Sequence, residues 1–210
     1  MGDLVRSEAA PSTPRLHALF NEAVRAVNRR RRSALASPLT ITLGDEFQGL
    51  AKTLEAGLSV IRTVRTRLRE EDMQSRFVLG LIALEPPLNP KKAWNMMGPG
   101  LSDAREKLAD KRHPSVYRFS LPRDPVLETL LDAVGYAVSE VEAGWTERQR
   151  EIVAASLAST ERNVDLAESL GITERTLYKI RNAARLDFYK EQWSAIEVAV
   201  SDLDQRYGLA

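Results

Sequence analysis

Cysteine is absent from this 210-residue chain, and histidine occurs only at His17 and His113. The lack of cysteine excludes disulfides, thiolate metal sites and cysteine nucleophiles, and two histidines cannot form a histidine-rich metal site. No apolar run approaches the roughly 20 residues of a membrane span, and the N-terminus lacks the apolar core of a signal peptide. These absences predict a soluble cytoplasmic protein with no membrane partner.

An excess of charge of one sign is also lacking, because 30 Lys and Arg residues stand against 29 Asp and Glu residues, for a net charge of +1. Any argument for nucleic-acid binding must therefore rest on local charge. The chain is 43% hydrophobic and 28% charged, which is an ordinary globular composition with enough apolar material for a core. Its length suits one sizeable domain or two small ones.

Predicted helices and strands alternate in the first 122 residues. Apolar spacing predicts helices over 14–32, 53–71 and 100–111, and strands over 39–43, 47–52, 76–84 and 116–121. With a weak first strand at Asp3, this order predicts an α+β fold. Its first domain, 1–122, is expected to be a ferredoxin-like, nucleotidyl-cyclase-like α/β sandwich with helices on one face of the sheet. Because so few residues precede Asp3, we also expect the native protein to begin upstream of Met1.

The remainder of the chain, 126–210, is predicted to be an all-α domain containing a helix-turn-helix at 163–182. Within that segment, small Ala167 suits a close helix crossing, and Gly171 suits a turn that needs a positive φ. Thr173 can cap the second helix, and Leu177 falls on its apolar side. The segment resembles the helix-turn-helix family, whose second helix lies in the major groove of DNA.

This resemblance implies a set of DNA-contacting residues on and after the second helix. They are Thr173, Glu174, Arg175, Thr176, Tyr178, Lys179, Arg181, Asn182 and Arg185. The lysine and the last two arginines can neutralise phosphates, whereas Arg175 and Asn182 suit guanine and adenine edges. Two alternatives stay open: a plain helical hairpin with solvated basic residues, and a protein–protein contact.

Apolar residues at helical spacing continue to the end of the chain, at Ile196, Val200 and Leu203. Helix-turn-helix proteins often bind DNA as dimers, so this last helix is a candidate seam for a homodimer. A role in the core of one chain explains the same spacing equally well.

Three acidic residues of the N-terminal part are candidates for a metal site. Asp3 ends the first strand, and Asp45 and Glu46 occupy the tip of a predicted hairpin. Close carboxylates repel each other, and a divalent cation, Mg²⁺ or Mn²⁺, relieves that repulsion. The backbone N–H groups of residues 4–7 could hold phosphate oxygens. The alternative is a purely structural hairpin, because Gly and Asp are common in turns.

A family resemblance joins these segments. The stretches GDLVRS (2–7), TITLGDEFQGL (40–50) and GPGLSDAR (98–105), followed by the helix-turn-helix, resemble the SatD family over nearly the whole chain. More distantly, the first two stretches resemble the catalytic core of class III nucleotidyl cyclases and GGDEF-type enzymes. That second resemblance implies metal binding at Asp3 and Asp45, a nucleotide ligand, and a phosphate-stabilising role for Arg105.

These observations lead to three functional hypotheses. The first is a DNA-binding regulator whose cyclase-like domain senses a nucleotide and a divalent metal. The second is a nucleotidyl cyclase-type enzyme acting on purine nucleoside triphosphates. The third is an interaction module that neither catalyses a reaction nor binds DNA. Whether the protein is an enzyme therefore stays open at the level of sequence.

Overall fold

A computed structural model describes residues 1–5, 13–84, 88–94, 96 and 98–209 of the chain. Arg6 and Ser7, which the sequence placed near phosphate oxygens, lie outside this described part.

The fold is mixed α+β. The strands are β1 Gly2–Leu4, β2 Leu35–Leu43, β3 Glu46–Ala51, β4 Ser75–Gly80 and β5 Tyr117–Ser120. The helices are α1 Thr13–Arg30, α2 Leu54–Arg69, α3 Leu101–Ala109, α4 Pro125–Ala143, α5 Glu147–Ala158, α6 Asn163–Ser169, α7 Glu174–Ala183 and α8 Leu186–Arg206.

The five strands form one mixed sheet in the order β2-β3-β1-β4-β5. The central strand β1 is antiparallel to both β3 and β4, and β5 runs parallel to β4. The predicted strand over 76–84 is too long, because β4 ends at Gly80. Leu81 N–H still donates to the carbonyl of Ser120, where β5 ends, but Ala83 N–H donates to Pro99 instead.

Side chains hydrogen-bond to backbone groups at both edges of the sheet. At the β2 edge, the Asn28 side chain donates to the Leu39 carbonyl at 2.9 Å and accepts from the Leu39 N–H at 2.8 Å. At the β5 edge, Asp132 of α4 accepts from Phe119 N–H at 2.7 Å, and Glu128 accepts from Leu121 N–H. Unpaired backbone groups at a sheet edge invite pairing with another chain, and these side chains satisfy several of them.

The main hydrophobic core lies on one face of the sheet and is covered by α1, α2, α4 and α8. It includes Phe77 from the sheet and Leu131 from α4, so it continues across the predicted boundary between 122 and 126. The prediction that all helices of the N-terminal part share this face is wrong for α3. Strand alternation directs Val78 to the opposite face, where it forms a small apolar cluster with Ala104 and Leu108 of α3.

The last helix is part of this core. Ile196, Val200 and Leu203 are at most 1% exposed, so the interpretation of this row as a dimer seam is wrong and the intramolecular alternative holds. Near the end of α8, the carboxylate of Asp204 accepts hydrogen bonds from the N–H groups of Leu54 and Glu55 at 2.7 and 2.9 Å. The C-terminal helix thereby caps α2.

Within the described ranges, no helix combines the length and hydrophobicity needed to cross a membrane.

Candidate functional site

Helices α5, α6 and α7 pack around a small core of their own. Its buried members are Ile152 from α5, Leu166 and Ala167 from α6, and Leu177 from α7. The two helices predicted within 163–182 are therefore present, and a third helix supports them. Helix α5 begins with a capping box, in which Thr146 and Gln149 exchange side chain-to-backbone hydrogen bonds.

The turn between α6 and α7 depends on Gly171 and Thr173, which the sequence singled out, and on Ile172. Gly171 has φ +67°, a conformation that glycine adopts at little cost. The N–H of Ile172 donates to the carbonyl of Ala167 at 3.0 Å, which folds the turn back onto α6. Thr173 Oγ1 accepts from Thr176 N–H at 3.2 Å and so caps α7. The predicted roles of Gly171 and Thr173 are confirmed.

Helix α7 has two unlike faces. Leu177 is fully buried and Ile180 packs against the same small core. The predicted DNA-contacting residues that are exposed to solvent are Thr173, Glu174, Arg175, Thr176, Tyr178, Lys179, Asn182 and Arg185. The structure therefore brings most of the predicted set to the surface on and around one short helix.

Arg181 departs from this pattern, because its guanidinium is held inside the three-helix unit. Its Nε donates to Ser156 Oγ of α5 at 2.8 Å, and its Nη1 donates to Asn163 Oδ1 of α6 at 2.6 Å. The amide of Asn163 in turn donates to Tyr178 Oη at 2.6 Å. Arg181 thus ties all three helices together, a role that the sequence did not indicate.

Arg185 lies at the junction between α7 and α8. Its backbone is left-handed, with φ 55°, and its guanidinium carbon is 4.4 Å from the ring centroid of Phe188. A cation stacked on an aromatic ring is partly immobilised, so Arg185 is held at the end of the exposed face of α7 rather than free to reach in any direction.

The acidic residues of the N-terminal part meet on the face of the sheet opposite the main core. Asp3 of β1 is in register with Glu46 of β3 on one side and with Arg76 of β4 on the other. Asp45, next to Glu46, accepts through its carbonyl from Leu4 N–H at 3.1 Å. This meeting lies inside the sheet and not at its edge, because β1 is the central strand.

The Asp3 carboxylate is fully buried. Arg76 Nε lies 2.9 Å from Asp3 Oδ1, yet neither oxygen of Asp3 receives a well-oriented hydrogen bond from the described residues. Burial raises the pKa of Asp3 to about 6. The charges of Arg76 and Lys111 lower this pKa, whereas those of Asp45 and Glu46 raise it further.

Two cations near Asp3 were missed in the sequence. Arg76 is brought to Asp3 by strand pairing, and Lys111 follows α3, so neither is close to Asp3 along the chain. Arg105, predicted to stabilise phosphate, is exposed on α3. In the part of the chain that the structure describes, no group of three or more His, Asp or Glu residues is placed to hold a metal ion.

The model of the SatD family matches residues 1–198. The chain belongs to the SatD family. This match spans nearly the whole fold, from β1 with Asp3 to most of α8, and so includes both the acidic face and the α5–α7 unit. Neither the curated proteins nor the solved structures that were compared with this SatD-family chain gave a match.

Proposed function

We propose that this SatD-family protein is a DNA-binding regulator that contacts DNA through α7. The observation that supports the proposal is the division of α7 into two faces: Leu177 is fully buried, whereas Arg175, Lys179 and Asn182 are exposed. A helix fixed by one face on a small core can present its other face to a major groove without rearrangement.

The chemistry of the exposed face fits DNA. Arg175 lies in the first turn of α7, where helix-turn-helix proteins contact base edges, and its guanidinium can bind guanine with two hydrogen bonds. Lys179 lies one turn further along and can neutralise a phosphate. Asn182 can pair with the edge of an adenine. Glu174, at the start of α7, would disfavour phosphate and so restrict how the helix can dock.

Fluorescence polarisation with labelled duplex DNA, over a series of salt concentrations, tests the proposal. We expect an affinity that falls linearly with salt on a log–log plot. Lys179→Glu is expected to weaken binding about tenfold or more. Lys190→Glu makes the same charge change at an exposed position of α8 and is expected to bind like the wild type. Salt-independent or absent binding, or equal losses in the two variants, would contradict DNA contact through α7.

A second proposal concerns the acidic face at Asp3: that it senses a divalent cation, Mg²⁺ or Mn²⁺, together with a nucleotide. The connection β1-α1-β2-β3-α2-β4, with strand order β2-β3-β1-β4, supports a ferredoxin-like, cyclase-like arrangement of the first four strands. Neither buried oxygen of Asp3 accepts a well-oriented hydrogen bond from the described residues, and a hard cation prefers carboxylate oxygens of this kind. Asp45 and Glu46 are the further carboxylates whose charges act on Asp3, while Arg76 competes for Asp3.

Calorimetry with ATP and with GTP, each with and without Mg²⁺, tests this second proposal. Metal-dependent heat that disappears in Asp45→Asn supports it, provided that Asp103→Asn keeps the heat. Asp103 is a matched acidic control, because it is exposed on α3. Absence of heat in the wild type would contradict this second proposal and leave the hairpin structural.

Turnover is tested separately by incubating the protein with Mn²⁺ and each triphosphate. Equal amounts of product from the wild type and from Asp45→Asn would reject the hypothesis of a cyclase-type enzyme.

A further inference from the structure

An apolar row is exposed along one side of α4. Val126 is 72% exposed and Leu130 is 58% exposed, and the row continues through exposed Ala133 to half-buried Ala137. These positions are spaced by four, three and four residues, so they form one narrow row on a helix. The same spacing is typical of a seam against another helix.

Helix α4 cannot rotate to bury this row, because its opposite side packs closely against β5 and α8. Gly135 lies so close to the Tyr117 carbonyl that an added Cβ would be 2.3 Å from its oxygen. Antiparallel α8 also holds α4 at both ends: Arg206 Nη1 is 2.9 Å from Asp124 Oδ2, and the rings of Trp145 and Tyr189 are 4.8 Å apart. The apolar row is therefore a rigid, outward surface.

We propose that this row binds the same row of a second copy of the chain, with a two-fold axis passing near Ala133. Large side chains occupy the N-terminal half of the row, at Val126 and Leu130, and small ones the C-terminal half, at Ala133 and Ala137. In an antiparallel pair about this axis, Ala133 lies against Ala133 of the other copy and Leu130 lies closest in the row to small Ala137, which is the self-complementarity that an isologous interface requires.

Charge complementarity selects the same occupant and the same orientation. Arg123 is exposed just before α4, and Glu140 is exposed seven residues after Ala133. The two-fold axis places Glu140 of each copy opposite Val126 of the other, close to Arg123 and to the positive end of the α4 dipole. A parallel pair would instead place Glu140 against Glu140, which is unfavourable because the two charges repel.

The size of the surface predicts a weak dimer. Nineteen residues of α4 extend about 28 Å, and one helix face covers less than the roughly 800 Å² per partner of a standard interface. We therefore expect a dissociation constant in the micromolar range.

The inference goes beyond the proposed function and does not depend on it, because the row on α4 is separate from α7. If α7 binds DNA, the dimer would present two such helices to two half-sites.

Sedimentation equilibrium of the full chain tests the inference. The wild type is expected to approach twice the monomer mass as its concentration rises. Leu130→Glu is expected to stay monomeric where the wild type associates, with at least about a tenfold weaker association. Leu157→Glu, at a 41% exposed leucine of α5, is the matched control and is expected to associate like the wild type. Circular dichroism checks that each variant is folded. A monomeric wild type, or a Leu130→Glu variant that associates normally, would overturn the proposal.

The orientation has its own test, because the chain has no cysteine. A single Ala133→Cys variant is expected to give a covalent dimer with a short bifunctional maleimide, whereas Val164→Cys, at an exposed position of α6, is not. Arg123→Glu is expected to weaken association, and adding Glu140→Arg is expected to restore it. Equal cross-linking at positions 133 and 164, or no rescue, would overturn the two-fold arrangement.

Discussion

Arg65 of α2 donates hydrogen bonds from Nε and Nη2 to one carboxylate oxygen of Glu142 on α4, at 3.1 and 2.8 Å. Arg69 donates to the same oxygen at 2.6 Å, and the hydroxyls of Tyr117 and Tyr189 donate to the other, each at 2.9 Å. Burial alone would raise the pKa of Glu142, but the two arginines and these hydrogen bonds outweigh it and hold that pKa below its usual range. One buried carboxylate thus joins α2, β5, α4 and α8.

Glu142→Gln is expected to lower the free energy of unfolding at pH 7 by about 3–5 kcal/mol, because it leaves two arginines without their buried counter-charge. Urea unfolding measures the change. Since the folded pKa lies below the unfolded value of 4.5, the charged form stabilises the fold above about pH 4.5 and loses this effect as the pH falls further. Glu106→Gln, at an exposed position of α3, is the control and should change stability little. A small loss in Glu142→Gln would show that the network contributes little.

Asp3 has the opposite dependence on pH. Its pKa is raised from 3.8 to about 6, so the folded state holds its proton more tightly than the unfolded state. The cost of the buried charge is complete above about pH 6 and disappears as the pH falls towards 4. Relative to Asp3→Asn, the wild type should therefore become more stable by about 1 kcal/mol between pH 7 and pH 5.

Urea unfolding of the wild type and of Asp3→Asn at several pH values measures this difference. A difference that does not change with pH would mean that Arg76 keeps Asp3 charged throughout. Repeating the series with Mg²⁺ at pH 7 gives a readout of cation binding besides heat, because a bound cation should stabilise the wild type and not the variant.

The sequence predicted the α6–α7 segment well because its signals are local. Gly171 and Thr173 act on neighbours within one turn, so their residue types alone indicate the turn and the cap. Glu142 gave no such signal, since its partner Arg65 is 77 residues away. Arg76 likewise meets Asp3 only through strand pairing. The strand order brought Asp3 to the hairpin as expected, and pairing with both β3 and β4 places β1 inside the sheet.

Arg181 and Arg175 should behave differently although both belong to the predicted DNA-contacting set. Arg181→Ala removes hydrogen bonds to Ser156 and Asn163, so it is expected to lower the stability of the three-helix unit by about 1–3 kcal/mol. Arg175→Ala removes an exposed side chain and is expected to leave stability within about 0.5 kcal/mol while weakening DNA binding. Thermal unfolding together with polarisation separates the two effects. Equal losses of stability in both variants would contradict the structural role of Arg181.

Asp204 should stabilise the start of α2 from the far end of the chain. Its carboxylate accepts from Leu54 and Glu55 N–H, while Thr53 Oγ1 accepts from Ala56 N–H at 3.0 Å. Asp204→Ala is expected to cost about 2–3 kcal/mol, because it leaves two N–H groups at the first turn of α2 without partners, one of them buried. Thr53→Ala removes only one such bond and is expected to cost about 1 kcal/mol.

Hydrogen exchange locates the effect of Asp204→Ala within the fold. The amides of Leu54 and Glu55 should exchange faster in Asp204→Ala, and that of Ala56 should do so in Thr53→Ala, because each amide loses the acceptor that protects it. The double variant should show a coupling free energy, since both side chains cap the same helix turn. Unchanged exchange at Leu54 and Glu55 in Asp204→Ala would mean that solvent or another acceptor replaces the carboxylate, and that packing rather than this cap holds α8 against α2.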